Sequence, residues 1–273
     1  MDGLTTNRKE CMFTIPADVA LDEVLSLMKG RPAFVCGSAV TAETYNKPDA
    51  YSDVDVFVPT PEVLVSTVEY LLNNRARQDA KFHRIWEMWL SYGVGNWHTH
   101  SMKLFMPSGV EINIISKKDS RKQLSSLSDV LESFDFGILA TGYDTQLGYK
   151  QDLRPFLFPN LDLDGPLPML PTKSYRWKRG QFSKFNALRE IERYVKYIDY
   201  GYDLSAVRPQ LIEGYWQKAS DQDISSNPEA PQLKQLLEAI AIKLEDNAID
   251  ELREASKAIE YKSELATILE AFD

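Results

Sequence analysis

A chain of 273 residues, 44% hydrophobic and 26% charged, can bury a sizeable core and has the make-up of an ordinary globular protein, which excludes a disulfide-stapled miniprotein and a disordered chain. Its net charge of −9 repels nucleic acid over the surface as a whole, so any phosphate-binding region has to be local. No run approaches the roughly 18 apolar residues of a spanning helix. Met1 to Pro16 lacks the apolar core of a signal peptide, and Cys11 and Cys36 can form at most one bridge, so a reducing cytoplasm and no membrane partner are expected.

Pro16 precedes a helical pattern through Val19, Leu21, Val24, Leu25, Leu27 and Met28, ended by Gly30. The apolar run Pro32 to Cys36 reads as a strand, Gly37-Ser38 as a turn, and Val40 to Asn46 as a helix halted before Pro48. Val54 to Val58 is a second strand, and Pro59 and Pro61 end it and open a helix through Val63, Leu64, Val68, Leu71 and Leu72. Ile85 to Leu90 predicts a further helix. Met102 to Phe105 and Val110 to Ile115 predict a hairpin around the turn Met106-Pro107-Ser108-Gly109. Leu124 to Ser133 reads as helix, and Phe134 to Ala140 fits strand or helix equally.

Pro155, Pro159, Pro166, Pro168 and Pro171 punctuate a stretch with almost no periodicity, which predicts an extended linker or a strap. Beyond it the pattern is helical: to about Tyr200, then Val207 to Lys218, Pro231 to Leu244 and Ile249 to Phe272. The expected organisation is a mixed α/β unit over 1–150, a proline-rich linker over 151–171 and a helical unit over 172–273.

The chemistry-bearing residues are Gly37-Ser38 at the end of one strand and Ser52-Asp53-Val54-Asp55-Val56 in the next. Alternation places Asp53 and Asp55 on one face and Val54, Val56 and Val58 on the other. Taken alone, two aspartates at this spacing fit a solvated edge or a capped turn. Two carboxylates side by side also suit Mg²⁺, which binds through one or two protein carboxylates plus substrate phosphate oxygens. The glycine turn lets backbone approach a phosphate, and the Ser38 hydroxyl supplies a hydrogen bond to it.

Gly37-Ser38 followed by Asp53-Val54-Asp55 resembles the signature of the DNA polymerase beta-like nucleotidyltransferase superfamily, over Leu21 to Ile115. Leu131 to Phe136 and Tyr194 to Tyr202 are similar to uncharacterised, often phage-encoded nucleotidyltransferase-like proteins, for which the location would be the host cytoplasm. The resemblance implies an α+β fold: a small mixed-sheet nucleotidyltransferase domain followed by an α-helical domain. It implies two-metal transfer of a nucleoside monophosphate from a nucleoside triphosphate to a hydroxyl, with Mg²⁺ or Mn²⁺. Asp53 and Asp55 would hold one metal and, with Glu111, a second, while Gly37, Ser38 and Ser52 would lie against the nucleotide. Glu111, in Val110-Glu111-Ile112, is preferred for the third carboxylate position, although Ile112-Asn113-Ile114 aligns about as naturally, and Asp135 is a distant substitute. With Asn113 there, the chain becomes a non-catalytic nucleotide or partner binder of the same fold.

Between Thr172 and Tyr197 the bases Lys173, Arg176, Lys178, Arg179, Lys184, Arg189, Arg193 and Lys196 outnumber Glu190 and Glu192. Lys184 lies on the apolar stripe of Leu188, Ile191, Val195 and Ile198, either snorkelling to solvent or clamping the triphosphate. Arg189, Arg193 and Lys196 share the opposite side, as a solvated face or as a phosphate-binding one, and RNA is an acceptor this basic helix could serve. His98 and His100 read as surface histidines in preference to a metal site, and Trp86 and Trp89 as packing in preference to base stacking. Gly93-Val94-Gly95 reads as a loop.

Overall fold

Alternating valines and a hairpin form the sheet on which the helices pack. The computed structural model describes residues 15–76, 98–106, 108–118, 124–134, 136–160, 162–163, 165, 184–220 and 230–256. Strands β1 (Phe34–Cys36), β2 (Val54–Val58), β3 (His98–Phe105), β4 (Glu111–Lys118), β5 (Thr141–Asp144) and β6 (Tyr149–Asp152) form one sheet in the order β3-β4-β2-β1-β5-β6. β2 and β4 run parallel, and the other neighbours are antiparallel. Around it lie α1 (Ala17–Met28), α2 (Ser38–Thr44), α3 (Pro61–Ala76), α4 (Leu127–Glu132), α5 (Arg154–Leu157), α6 (Lys184–Asp199), α7 (Arg208–Ala219) and α8 (Ala230–Glu245), with residues 249–256 also helical. The fold is mixed α+β. Among the described residues no helix is long and apolar enough to cross a membrane.

The period-two pattern of β2 decides which layer covers which face. Val54, Val56 and Val58 pack with Val35, Ile112 and Ile114 under α1 (Leu21, Val24, Met28) and α3 (Leu64, Val68, Leu71). Each such side chain, fully buried, contributes roughly 1.5–3 kcal/mol. Phe34, Cys36 and Phe57 take the other face and join Phe134, Phe136, Ile138 and the apolar sides of α6, α7 and α8 in one cluster. The helices after the proline-rich stretch therefore share a core with the sheet.

The end of α6 is set by local sequence. Gly201 adopts φ +76, its N–H donates to Ile198 O at 2.8 Å, and the Tyr202 N–H donates to Tyr197 O at 3.0 Å. This is a Schellman stop, and its usual apolar contact is present as the Tyr197–Tyr202 ring pair, centroids 5.8 Å apart. Lys47 Nζ then donates to Gly201 O at 2.8 Å, tying this helix end to the loop that leads into β2.

Several sequence expectations need correction. β5 and β6 were not expected, because Thr141-Gly142-Tyr143-Asp144 and Tyr149-Lys150-Gln151-Asp152 carry no apolar alternation. They form because β1 offers a free edge of backbone groups, and Gly142 is needed there: a Cβ would stand 2.7 Å from Cys36 Sγ. Leu153 and Phe158 are buried in the core, so the start of the expected linker belongs to the folded body. The ambiguous stretch before β5 contains a 3₁₀ turn, Gly137–Leu139. The expected helix around Trp86 and Trp89, the Gly93-Val94-Gly95 loop, Cys11, residues 166–171 and the basic residues Lys173 to Arg179 lie outside the described residues.

Candidate active site

β1 ends at Cys36, and Gly37 turns the chain into α2 with φ +86. The Thr41 N–H and hydroxyl both donate to Gly37 O, at 3.1 and 3.0 Å, which fixes the turn. Glycine is required twice over here. Its φ lies in the left-handed region, and a Cβ would overlap Asp55 Oδ2 and stand 3.2 Å from Asp55 Cβ and Cγ. Ser38, the first residue of α2, is buried beside it.

Strand register lines up the rest. Cys36 pairs with Asp55, Asp55 with Asn113, and Asn113 with Lys103, so one row of side chains crosses four strands. Asn113 Nδ2 donates to Asp55 Oδ1 at 3.0 Å. One step along, Glu111 pairs with Phe105, and its carboxylate takes a close hydrogen bond from Lys103 Nζ, which also lies 3.9 Å from Asp53 Oδ2. Ser52 Oγ donates to Asp53 Oδ1 at 2.9 Å and accepts from Lys196 Nζ at 3.0 Å, so α6 reaches the aspartate pair through a serine.

Burial and the charge of Asp53 push the Asp55 carboxyl up to about 7, against the Asn113 hydrogen bond and the charges of Lys196 and Arg193. Burial, then Asp55, likewise raises the Cys36 thiol. The Lys103 ammonium loses solvation, yet the bond to Glu111 and the charges of Glu111, Asp53 and Asp55 hold it above the ordinary lysine range. Two neighbouring carboxylates, one of them buried, on a glycine-backed strand fit a hard divalent cation. A third carboxylate ligand is not poised with them: Asn113 occupies the register position beside Asp55, and Glu111 is engaged by Lys103. Among the described residues no three His, Cys, Asp or Glu side chains are gathered to hold one metal ion.

The structure thus brings Gly37, Ser38, Ser52, Asp53, Asp55, Glu111 and Lys196 to one sheet edge. Lys184 opens α6, but its side chain, like those of Arg189, His98 and His100, lies outside the described residues, as does Asp135. Two readings of the basic helix change. Glu190 is buried, so it does not balance a solvated face, and Arg193 is half-buried with its guanidinium 5.7 Å from the Phe136 ring centroid. Burial lowers the Arg193 guanidinium's affinity for its proton, and Tyr197 and Asp55 oppose this. Helical periodicity missed this because α6 packs on more than its apolar stripe: Tyr194 and Tyr197 are buried as well. Lys103 was also missed: the expected turn Met106 to Gly109 would pair Phe105 with Val110 and set Lys103 opposite Ile112, whereas the Met106 N–H donates to Val110 O and Lys103 stands opposite Asn113, with Met102 and Leu104 facing the core.

No family model matches the chain, and no curated protein matches it. Among solved structures, a Thermotoga maritima CCA-adding enzyme complexed with tRNA is similar at 17% identity and a TM-score of 0.44, over 85% of this chain and 53% of that one. The chain thus spans about half the length of that enzyme. A likeness this distant assigns neither fold nor activity.

Proposed function

We propose that the protein is a metal-dependent nucleotidyltransferase of polymerase beta-like type, which moves a nucleoside monophosphate from a nucleoside triphosphate onto a hydroxyl. The observation that carries this reading is the placement of Asp55: held against the Gly37 turn, repelled by Asp53, and facing the cations of α6. In the reaction the acceptor oxygen attacks the α-phosphorus, the bond to the β-phosphate oxygen breaks, pyrophosphate leaves, and the hydroxyl proton passes to solvent or a carboxylate. Asp53 and Asp55 would hold Mg²⁺ or Mn²⁺, which supplies charge neutralisation for the triphosphate and the departing pyrophosphate.

The chain's own residues do the positioning. Gly37 would keep a side chain out of the space where phosphate oxygens and the Asp55 carboxylate meet, and Ser38, next along the chain, would donate a hydroxyl hydrogen bond. Lys196 and Arg193 set positive charge over the same edge, and Lys196 orients Asp53 through Ser52. With Lys184 and the bases upstream of α6, they support RNA as the acceptor, against a protein or small-molecule hydroxyl.

A second reading, a non-catalytic nucleotide binder, is favoured by one observation: an amide, Asn113, stands beside Asp55. One experiment separates the two. The wild type and an Asp53→Ala/Asp55→Ala variant are incubated with each α-labelled nucleoside triphosphate, Mg²⁺ or Mn²⁺, cellular RNA and extract. Label transferred by the wild type alone supports transfer and identifies the acceptor class. Nucleotide-dependent thermal stabilisation without transfer supports the binder.

A further inference from the structure

The arrangement around Glu111 assigns Lys103 a function of its own. We infer that the Lys103 ammonium is a built-in cation that occupies the Asp53–Glu111 edge of the site, so that the protein takes one divalent cation where three carboxylates would otherwise take two. The inference deepens the nucleotidyl-transfer reading and rests on it for the cation at Asp53 and Asp55.

Three observations carry it. First, the position is built by the fold: the β3–β4 register places Lys103 in the row of Asn113 and Asp55, and its neighbours Met102 and Leu104 are buried on the opposite face. Second, the ammonium is shared between carboxylates of two strands, in a close bond to Glu111 Oε1 and 3.9 Å from Asp53 Oδ2, which is where a cation bridging those groups would have to sit. Third, the contacts divide the carboxylates: Lys103 bonds Glu111 and approaches Asp53, while Asp55 takes its hydrogen bond from Asn113, which leaves the Asp53–Asp55 pair as the place for a divalent cation.

Asn113 fits the same scheme. Its amide donates to Asp55, a bond that an ionised carboxylate at this position could not make. Lys103 is not a core strut, because its side chain is 53% exposed, although the carboxylates it meets, Asp53 and Glu111, are only 17% and 19% exposed. Its removal changes the charge of the site, and the fold is followed alongside.

The test counts Mn²⁺ bound to the full-length protein by electron paramagnetic resonance, with circular dichroism to follow the fold. Lys103→Ala is expected to bind one more Mn²⁺ than wild type, as is Lys103→Met, which keeps the stem's packing. Lys103→Arg, which keeps the charge, is expected to bind as wild type does, and Lys103→Ala/Glu111→Gln is expected to lose the additional ion. Equal numbers in wild type, Lys103→Ala and Lys103→Met, or a gain that survives Glu111→Gln, would overturn the inference. The reading beneath it is scored separately by the wild-type ion, which Asp55→Asn should remove: absence of that ion sinks the metal-dependent transferase whatever the Lys103 variants gain.

Discussion

Gly37 and Asp55 are in contact so close that the strand-end glycine and the second aspartate cannot be varied independently: a Cβ on Gly37 would overlap Asp55 Oδ2. The pairing of Cys36 with Asp55 brings them together, and the left-handed φ of Gly37 keeps them there.

Gly37→Ala should therefore cost stability and displace Asp55. The glycine-only backbone conformation alone costs an alanine roughly 1–3 kcal/mol, and the collision adds to it. Urea unfolding should show a loss of about 2 kcal/mol or more, with loss of nucleotide transfer. A variant as stable and as active as wild type would show that Asp55 can move away at no cost.

Asp55 should make the protein less stable as pH rises. Its folded-state value, about 7, lies above that of an unfolded carboxyl, so the folded chain binds the proton more tightly. The stabilisation is full below about pH 4, is lost as pH climbs toward 7, and stays lost above it. Asp55→Asn keeps an acceptor for Asn113 and has no charge to bury. Its thermal midpoint should match wild type near pH 4.5 and exceed it at pH 8, by on the order of 2 kcal/mol of stability after allowance for partial solvent screening. Saturating Mg²⁺ should narrow the gap. Parallel pH profiles in metal-free buffer would count against the assignment.

Arg193 acts on the same carboxyl from α6. Arg193→Met keeps a contact with Phe136 and removes a charge that favours ionised Asp55, so the Asp55 midpoint should move above 7. Carbon-13 spectra of aspartate-labelled protein would follow it, and an unchanged or lower midpoint would remove Arg193 from the site.

Phe136 holds α6 against the sheet. It is fully buried, with its ring centroid 5.5 Å from that of Tyr197. Phe136→Ala should cost about 3–5 kcal/mol and loosen the Lys196–Ser52 contact as well. Denaturant titration showing a loss under 1 kcal/mol would mean that α6 is anchored elsewhere.

Much of the site was legible because its information is local. Alternation in Val54 to Val58 assigns the two aspartates to one face, Gly37 marks the turn, and Met106 to Gly109 marks the hairpin, whose register is shifted by one residue because the Met106 N–H pairs with Val110 O. β5 and β6 were not legible. Thr141 to Asp144 and Tyr149 to Asp152 have no apolar period, and they become strands by hydrogen-bonding onto an edge already made.

The third carboxylate position divides the two kinds of information most clearly. The sequence by itself favoured Glu111 and kept Asn113 as the alternative, both lying on one face of one strand. The parallel pairing of β2 with β4, formed between segments far apart in the chain, sets Asn113 beside Asp55 and puts Glu111 within reach of Lys103. The sequence also determined that Lys196 is a cation on a helix, while only packing decided that it reaches Ser52. Periodicity reports which side of a helix or strand is apolar, whereas the partner across a gap depends on register and interlayer contacts that no local pattern encodes.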